Sequence, residues 1–285
     1  MRFVAPERAA VDPIVFERPP LAQWLEFADL LRGSEWPSVA TLGDWSAANR
    51  PPARPVLAPA PRFVVQSPEL LRDGLHYEQR IAERGQIATR ERNWHDLINA
   101  LIWLRFPQLK SALNARQVAE ISIAGPKVRT RAQCALTHFD EAGIVVLLRD
   151  PVLLAVWDAH DWYGLFWTNR EAWTDGRAEV VVFGHALLEH ALVPAQLLVG
   201  KALVAAMPQS GIVDNCETID AIAAAIRGGE LLDDPQGLRP LPLSGIPGWH
   251  PDNDAESFYR EAPCFRPLRS GRRYPAPFSG ASPGS

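Results

Sequence analysis

The stretch NWHDLINALIWLRFPQLKSALNARQVAEI (residues 93–121) predicts two consecutive helices at the centre of the chain. Asn93 can cap the first helix, whose apolar residues recur at helical spacing up to about residue 104. Pro107 suits the first turn of the second helix, because the N–H that proline lacks has no intrahelical partner at that position. We expect this helix pair to form part of the core.

The segments after this pair predict a small sheet with helices packed on it. The stretch RAQCALTHFDEAGIVVLLRD (131–150) alternates on both sides of a turn at 140–143, which predicts a β-hairpin at about 132–149. The remaining predicted elements are a helix beginning at Pro151, a buried strand at 178–183, a helix at 184–192, and helices near 195–206 and 217–227. This order predicts an α+β fold in a single domain, with a small mixed sheet.

Prolines are concentrated at the two ends of the chain. Ten of the 26 prolines lie in residues 1–67 and ten in residues 235–285. Because proline disrupts helices and central strands, we predict Pro-rich irregular arms at 1–67 and 235–285 around a mixed α/β core at 68–234. The aromatic residues of the arms, Trp24, Trp36 and Trp249 among them, indicate that both arms pack on the core. The tail PFSGASPGS (277–285) is predicted to fray.

The composition of the chain and the motifs it lacks argue against several classes of protein. A formal net charge of −4 provides no overall basic field and argues against nucleic acid as a partner. The three cysteines lie far apart, so neither a zinc ribbon nor a disulfide framework is expected. The most apolar stretch, 180–207, carries His185, Glu189 and Lys201, which argues against a membrane span and for a cytoplasmic protein. Nucleotide-binding glycine motifs and the GxSxG motif of serine hydrolases are absent.

The first candidate site lies on the helix that begins after Asn93. His95, Asn99 and Trp103 share one stripe of that helix, and Asp96 lies beside it. A helix face turned to solvent would not need a tryptophan, so we expect this polar stripe to be buried against a cleft. There His95 is a candidate base or ligand and Asp96 its partner or a second ligand. Asn99 is then a candidate substrate contact. The alternative is a hydrogen-bonded network that only fixes the helix in place.

The second candidate site is the stretch GHALLEH (184–190), which directly follows a predicted strand. His185 and Glu189 are four residues apart on one helical face, so they can share a divalent cation or form a histidine–carboxylate pair. The spacing matches none of the zinc-protease motifs, since neither HExxH nor HxxEH is present. The alternative is an intrahelical pair without a ligand.

Two further carboxylates and two arginines complete the candidate set. Asp140 and Glu141 stand at the tip of the predicted hairpin, where either can serve as a general base or simply form the turn. Arg90 and Arg131 are candidates for binding an anionic group of the substrate.

Several stretches together resemble a bacterial family catalogued only as a domain of unknown function. The resemblance extends from about residue 70 to residue 269. It is carried by the stretches NWHDLINAL (93–101), ALTHFDEAG (135–143), VFGHALLEHAL (182–192), GIPGW (245–249) and FYREAPCFRPLR (258–269). The family pattern has a second Gly-His-Ala-Leu, where this chain has Gly200-Lys201-Ala202-Leu203. The resemblance implies no particular reaction or cofactor, so a functional hypothesis has to come from the residues themselves.

Two functions fit these residues best, and nucleic-acid binding is a weaker third supported only by the arginines at 129–131 and 269–273. In the first, the protein is a metal-assisted hydrolase whose divalent cation is held by His95, Asp96, His185 and Glu189 and whose substrate is a small or anionic molecule. In the second, the same groups form buried structural networks, and the helix beginning at Pro151, which carries Trp157, Trp162 and Trp167, forms with the aromatic arms a surface for a protein partner. The first hypothesis predicts that His95 and Asp96 contact His185 or Glu189 across one polar pocket.

Overall fold

The computed structural model describes residues 3–49, 61–125, 128–209 and 215–279. Its helices pack on two small sheets, which confirms the predicted α+β class. The α-helices are α1 (Ala28–Arg32), α2 (Val39–Ala48), α3 (Tyr77–Arg84), α4 (Trp94–Arg105), α5 (Pro107–Ala124), α6 (Arg131–Ala142), α7 (Pro151–Asp158), α8 (His185–His190), α9 (Asn215–Gly228) and α10 (Phe258–Glu261). The predictions for α4, α5, α7 and α9 are therefore confirmed. In the described part of the chain, no helix combines the length and apolar character needed to cross a membrane.

The strands form one pair and one sheet of four. They are β1 (Arg62–Val65), β2 (Gln86–Thr89), β3 (Gly143–Leu148), β4 (Ala178–Val182), β5 (Val199–Ala206) and β6 (Arg239–Pro242). β1 and β2 pair in parallel, and the larger sheet has the order β4-β3-β5-β6. In that sheet β3 runs parallel to β5 and antiparallel to β4. Every residue of β3 is buried, so this strand is the centre of the core.

The predicted hairpin at 132–149 is wrong, because its first half is helix α6. Thr130 caps this helix in a capping box with Gln133, in which each side chain bonds the backbone N–H of the other residue. The buried apolar residues of α6 recur at helical spacing (Ala132, Ala135, Leu136, Phe139). Gly143 then starts β3 directly, in a space where an added Cβ would lie 2.1 Å from the Phe139 carbonyl oxygen. The predicted turn at 140–143 is therefore a tight helix-to-strand junction.

The predicted helix near 195–206 is also wrong, since most of this segment is strand β5. Leucine and alanine favour a helix locally. Pairing with β3 on one side and with β6 on the other prevails over that preference and buries most of the strand. The strand predicted at 178–183 is confirmed as β4.

The described parts of both Pro-rich arms lie against the core. Trp24 is 2% exposed, and the half-buried Trp36 and Trp249 pack on the same cluster of buried residues. The N-terminal arm is less irregular than proline content predicts, because it contains α1, α2 and β1. Most of the tail predicted to fray, residues 280–285, lies outside the described residues.

Gly184 brings the first turn of α8 against the last turn of α6. A Cβ added at Gly184 would lie 2.5 Å from the Cα of Ala142 and 2.6 Å from its backbone C and N. Only a residue without a side chain allows this approach. The neighbours of the two contact residues are His185 and Glu141, so the contact places two candidate site residues beside each other.

Gly184→Ala is therefore expected to destabilise the protein by about 1–3 kcal/mol, the usual range for overpacking a well-packed position. The free energy of unfolding, measured by urea denaturation, tests this. Gly43→Ala is the matched control, because an added Cβ there meets no heavy atom within 4 Å in the middle of α2. A loss of stability that is equal in both variants would contradict the expectation.

Candidate functional site

Helices α4, α6 and α8 position the central group of polar side chains. The side chain of Asn93 accepts a hydrogen bond from the backbone N–H of Asp96 and so caps α4, as predicted. The apolar face of α4 is buried in the core (Trp94, Leu97, Ile98, Leu101). This packing turns His95 and Asn99 toward a cavity between α4, α5 and α6.

His95 and His185 contact each other directly, which confirms the predicted proximity of the two helices. Their Nε2 atoms are 2.9 Å apart, and their rings meet edge to face. The Nδ1 atom of His95 lies 2.9 Å from Oε2 of Glu189. Oε2 of Glu141 lies 3.5 Å from Nε2 of His185. One donor atom from each of His95, His185 and Glu141 can be chosen so that all three lie within 4.8 Å of one another.

The contact between the two Nε2 atoms requires a hydrogen on one of them or a cation between them, because two facing lone pairs would repel at 2.9 Å. The N–H of a neutral imidazole is enough to make the contact without a cation. The hydrogen bond to Glu189 raises the pKa of His95 and keeps a proton on its Nδ1. Burial lowers the pKa of His185 to about 3, so His185 is neutral and can act as a ligand.

A second carboxylate stands behind His185. Oδ2 of Asp140 lies 3.8 Å from Nδ1 of His185, a buried atom that has no hydrogen-bond partner among the described residues. Burial opposes the charged form of Asp140, but the Lys110 ammonium prevails and holds the pKa of this carboxyl below its ordinary value. Each histidine therefore presents Nδ1 to a carboxylate and Nε2 to the other histidine.

Lys110 links this centre to a buried polar network. Its side chain is 4% exposed, and Nζ lies 2.6 Å from Oδ1 of Asp140 and 2.8 Å from Oδ1 of Asn99. The Asn99 amide nitrogen donates to the Tyr77 hydroxyl, and burial raises the pKa of Tyr77 to about 12. Both polar atoms of Asn99 are thus used within the protein, although the residue lines the cavity as expected of a substrate contact.

The cavity beside the centre has a volume of about 420 Å³. Both histidines and Glu141 line it, together with polar residues of α3, α5 and α6, such as Glu78, Asn114, Gln117 and Thr137. This volume lies within the range of small-molecule sites, about 300–1,000 Å³.

Three of the predicted site residues lie elsewhere or are already paired. Asp96 binds Arg90 through two side-chain hydrogen bonds of 3.0 and 2.7 Å, and within the described part of the chain it forms no hydrogen bond with His185 or Glu189. Arg90 lines the cavity, but the Asp96 carboxylate neutralises its charge. Arg131 does not line the cavity, because its guanidinium extends to Asp234 and forms two hydrogen bonds of 2.8 Å with it.

Several cavity residues were not singled out from the sequence, among them four polar residues, Lys110, Gln117, Arg129 and Thr137. Lys110 did carry a signal, since it is one of only three lysines and stands on the apolar start of α5. The other three residues resemble ordinary surface residues in the sequence. Only the packing of α5 beside α6 reveals their common location.

Fold and site together define an α+β protein with a histidine–carboxylate centre in the wall of a polar cavity. The chain belongs to the family described as protein of unknown function (DUF3025), whose model matches residues 61–269. The matched segment contains every residue of the centre and confirms the resemblance noted in the sequence. No curated protein and no solved structure matches the chain significantly.

Proposed function

We propose that the protein is a metal-assisted hydrolase whose divalent cation is bound by Nε2 of His95, Nε2 of His185 and a carboxylate oxygen of Glu141. The arrangement of the two imidazoles carries this proposal. Their Nε2 atoms point at each other beside the Glu141 carboxylate, while each Nδ1 faces a separate carboxylate. Metal-binding histidines commonly donate their second nitrogen to a carboxylate, as His95 does to Glu189. For His185 the nearest carboxylate is Asp140, whose Oδ2 lies 3.8 Å from Nδ1, beyond hydrogen-bond distance.

The observed distances fit a tetrahedral site. Two ligand atoms at about 2.0–2.1 Å from zinc, separated by a tetrahedral angle, stand roughly 3.3 Å apart. The observed separations are 2.9 Å between the two Nε2 atoms and 3.5 Å between His185 Nε2 and Glu141 Oε2. The ligand atoms of His95 and Glu141 lie within 4.8 Å of each other, so closing the site requires the Glu141 side chain to move toward His95. Two histidines and one glutamate also form a ligand set that catalytic zinc sites use, with the fourth position left for water.

This assignment differs from the set suggested by the sequence in two places. Glu189 becomes the carboxylate that orients His95 instead of a ligand, and Glu141 takes the place of Asp96 as the third ligand. Asp140 becomes the group that orients His185. A cation at this position would acidify a bound water to a pKa of about 7, which supplies a nucleophile for hydrolysis. The polar cavity supports the proposal because it gives a small substrate access to that position.

The test is a calorimetric titration of chelator-treated protein with Zn²⁺. We expect saturable uptake of one ion per chain, with weaker binding at pH 6 than at pH 8, because the cation must displace the proton that the raised pKa of His95 retains. His76→Gln is the control for general histidine binding, since His76 is an exposed residue before α3. If His76→Gln lost as much zinc affinity as His95→Gln, or if the wild type showed no saturable zinc uptake, the result would favour the alternative of a non-catalytic interaction protein.

Zinc-loaded and chelated protein are then compared on 4-nitrophenyl esters and phosphates. Hydrolysis that depends on zinc and is lost in Glu141→Gln would support the hydrolase assignment. Saturable zinc uptake without zinc-dependent hydrolysis of either probe would count against it.

A further inference from the structure

The cavity extends along one face of α6. Gln133, Thr137 and Glu141 are spaced four residues apart and all line it. With a rise of 1.5 Å per residue, each interval covers about 6 Å along the helix axis. Glu141 is a proposed ligand of the cation, so Thr137 lies about one helical turn from the position where hydrolysis would take place.

Two nitrogen donors converge near Thr137. Nη2 of Arg129 lies 2.7 Å from the Thr137 hydroxyl oxygen, and Nε2 of Gln117 lies 3.2 Å from the same atom. The hydroxyl itself donates to the carbonyl of Gln133 at 2.9 Å. Nε2 of Gln117 also lies 3.5 Å from the Gln133 carbonyl oxygen, at the limit of a hydrogen bond. Because both donors reach one oxygen, they are close enough to bind one oxyanion together, which would take N–H groups of the Arg129 guanidinium and the Gln117 N–H of that long contact.

The positive charge at this end of the cavity is uncompensated. Arg90 is paired with Asp96, and Lys110 with Asp140. Among the described residues, no carboxylate forms an ion pair with Arg129, whose guanidinium donates a hydrogen bond to the neutral Thr137 hydroxyl.

We propose that Arg129 and Gln117 form an anion subsite that binds a carboxylate or phosphate group of the substrate. This inference rests on the proposed hydrolase function and specifies its substrate class. The substrate is a small molecule whose anionic group lies about one helical turn, ~6 Å, from the bond that is cleaved. Thr137 orients the two donors, and the arginine provides a planar, permanently charged group for an oxyanion.

The test measures anion binding by chelator-treated protein, with inorganic phosphate and succinate as separate probes in calorimetric titrations. We expect the wild type to bind at least one probe and Arg129→Gln to bind it at least tenfold more weakly. Arg131→Gln is the matched control, because Arg131 is also an arginine at the start of α6 but binds Asp234 outside the cavity. Arg129→Lys should retain part of the affinity, since it keeps the charge. Melting temperatures show whether each variant is folded.

Each outcome of these titrations either supports or overturns the proposed anion subsite. Tighter binding of succinate assigns a carboxylate substrate, and tighter binding of phosphate assigns a phosphate ester. No binding of either anion by the wild type, or equal weakening in Arg129→Gln and Arg131→Gln, overturns the proposal. Zinc uptake is measured separately and should be unchanged in Arg129→Gln. If wild-type protein binds the anion but no zinc, the hydrolase assignment fails and the anion site remains.

Discussion

Replacing His95 with glutamine is expected to weaken zinc binding by at least about 100-fold, more than the 10–100-fold typical for losing a residue that only orients a ligand. Glutamine provides no imidazole nitrogen for the cation, but its amide can still donate to Glu189. The metal-free variant should therefore unfold within about 1 kcal/mol of the wild type. Zinc titration by calorimetry and urea denaturation of the metal-free protein measure the two effects.

Glu189→Gln tests the orienting role in the same experiment. This variant keeps all three proposed ligands and changes only the group that accepts the His95 Nδ1 proton. We expect its zinc affinity to fall by about 10–100-fold, less than in His95→Gln. The opposite order of effects, or a loss of several degrees in melting temperature with unchanged zinc binding, would identify the histidine pair as a structural network.

Replacing Lys110 with methionine should destabilise the protein more than the substitutions at Gly184 and His95 do. The ammonium is buried against Asp140 and Asn99, so its removal leaves a carboxylate and an amide oxygen without their donor. Breaking a buried ion pair on one side costs about 3–5 kcal/mol. The free energy of unfolding at pH 8, where Asp140 is ionised in the unfolded chain, measures the effect.

Two further variants show whether this loss comes from the broken pair. Lys201→Met removes a partly buried lysine that forms no ion pair in the described part of the chain, so it should change stability much less. Adding Asp140→Asn to Lys110→Met should restore part of the stability, because the unpaired charge disappears. A loss below 1 kcal/mol in Lys110→Met would show that the pair contributes little.

The two sets of variants separate the two candidate functions. A metal centre predicts that changes at His95 affect ligand binding far more than stability. A purely structural role predicts that changes at His95, like the change at Lys110, affect stability far more than ligand binding. The comparison needs no knowledge of the natural substrate.

Local sequence signals determined α4 and α5 correctly. The Asn93 cap, the proline at the start of α5 and the helical spacing of apolar residues all act over a few neighbouring positions. The same signals selected His95 and His185, because a polar group on an apolar helix must find a partner. The capping box at Thr130 is also a local signal, and it predicts the start of α6. The alternation at 131–150 pointed to a strand instead, and that prediction was wrong.

Only the tertiary structure decided which groups became partners. Glu189 is 94 residues from His95, and Asp140 is 30 residues from Lys110, so their contacts depend on how α4, α5, α6 and α8 pack. This packing also determines that Arg129 lines the cavity and Arg131 does not, because the Arg129 side chain extends to Thr137 and the Arg131 side chain to Asp234. Similarly, β5 is a strand because pairing with β3 outweighs the local helix preference of its leucines and alanines. Caps and periodicity depend on neighbouring residues, whereas desolvation, strand register and charge pairing depend on residues that only folding brings together.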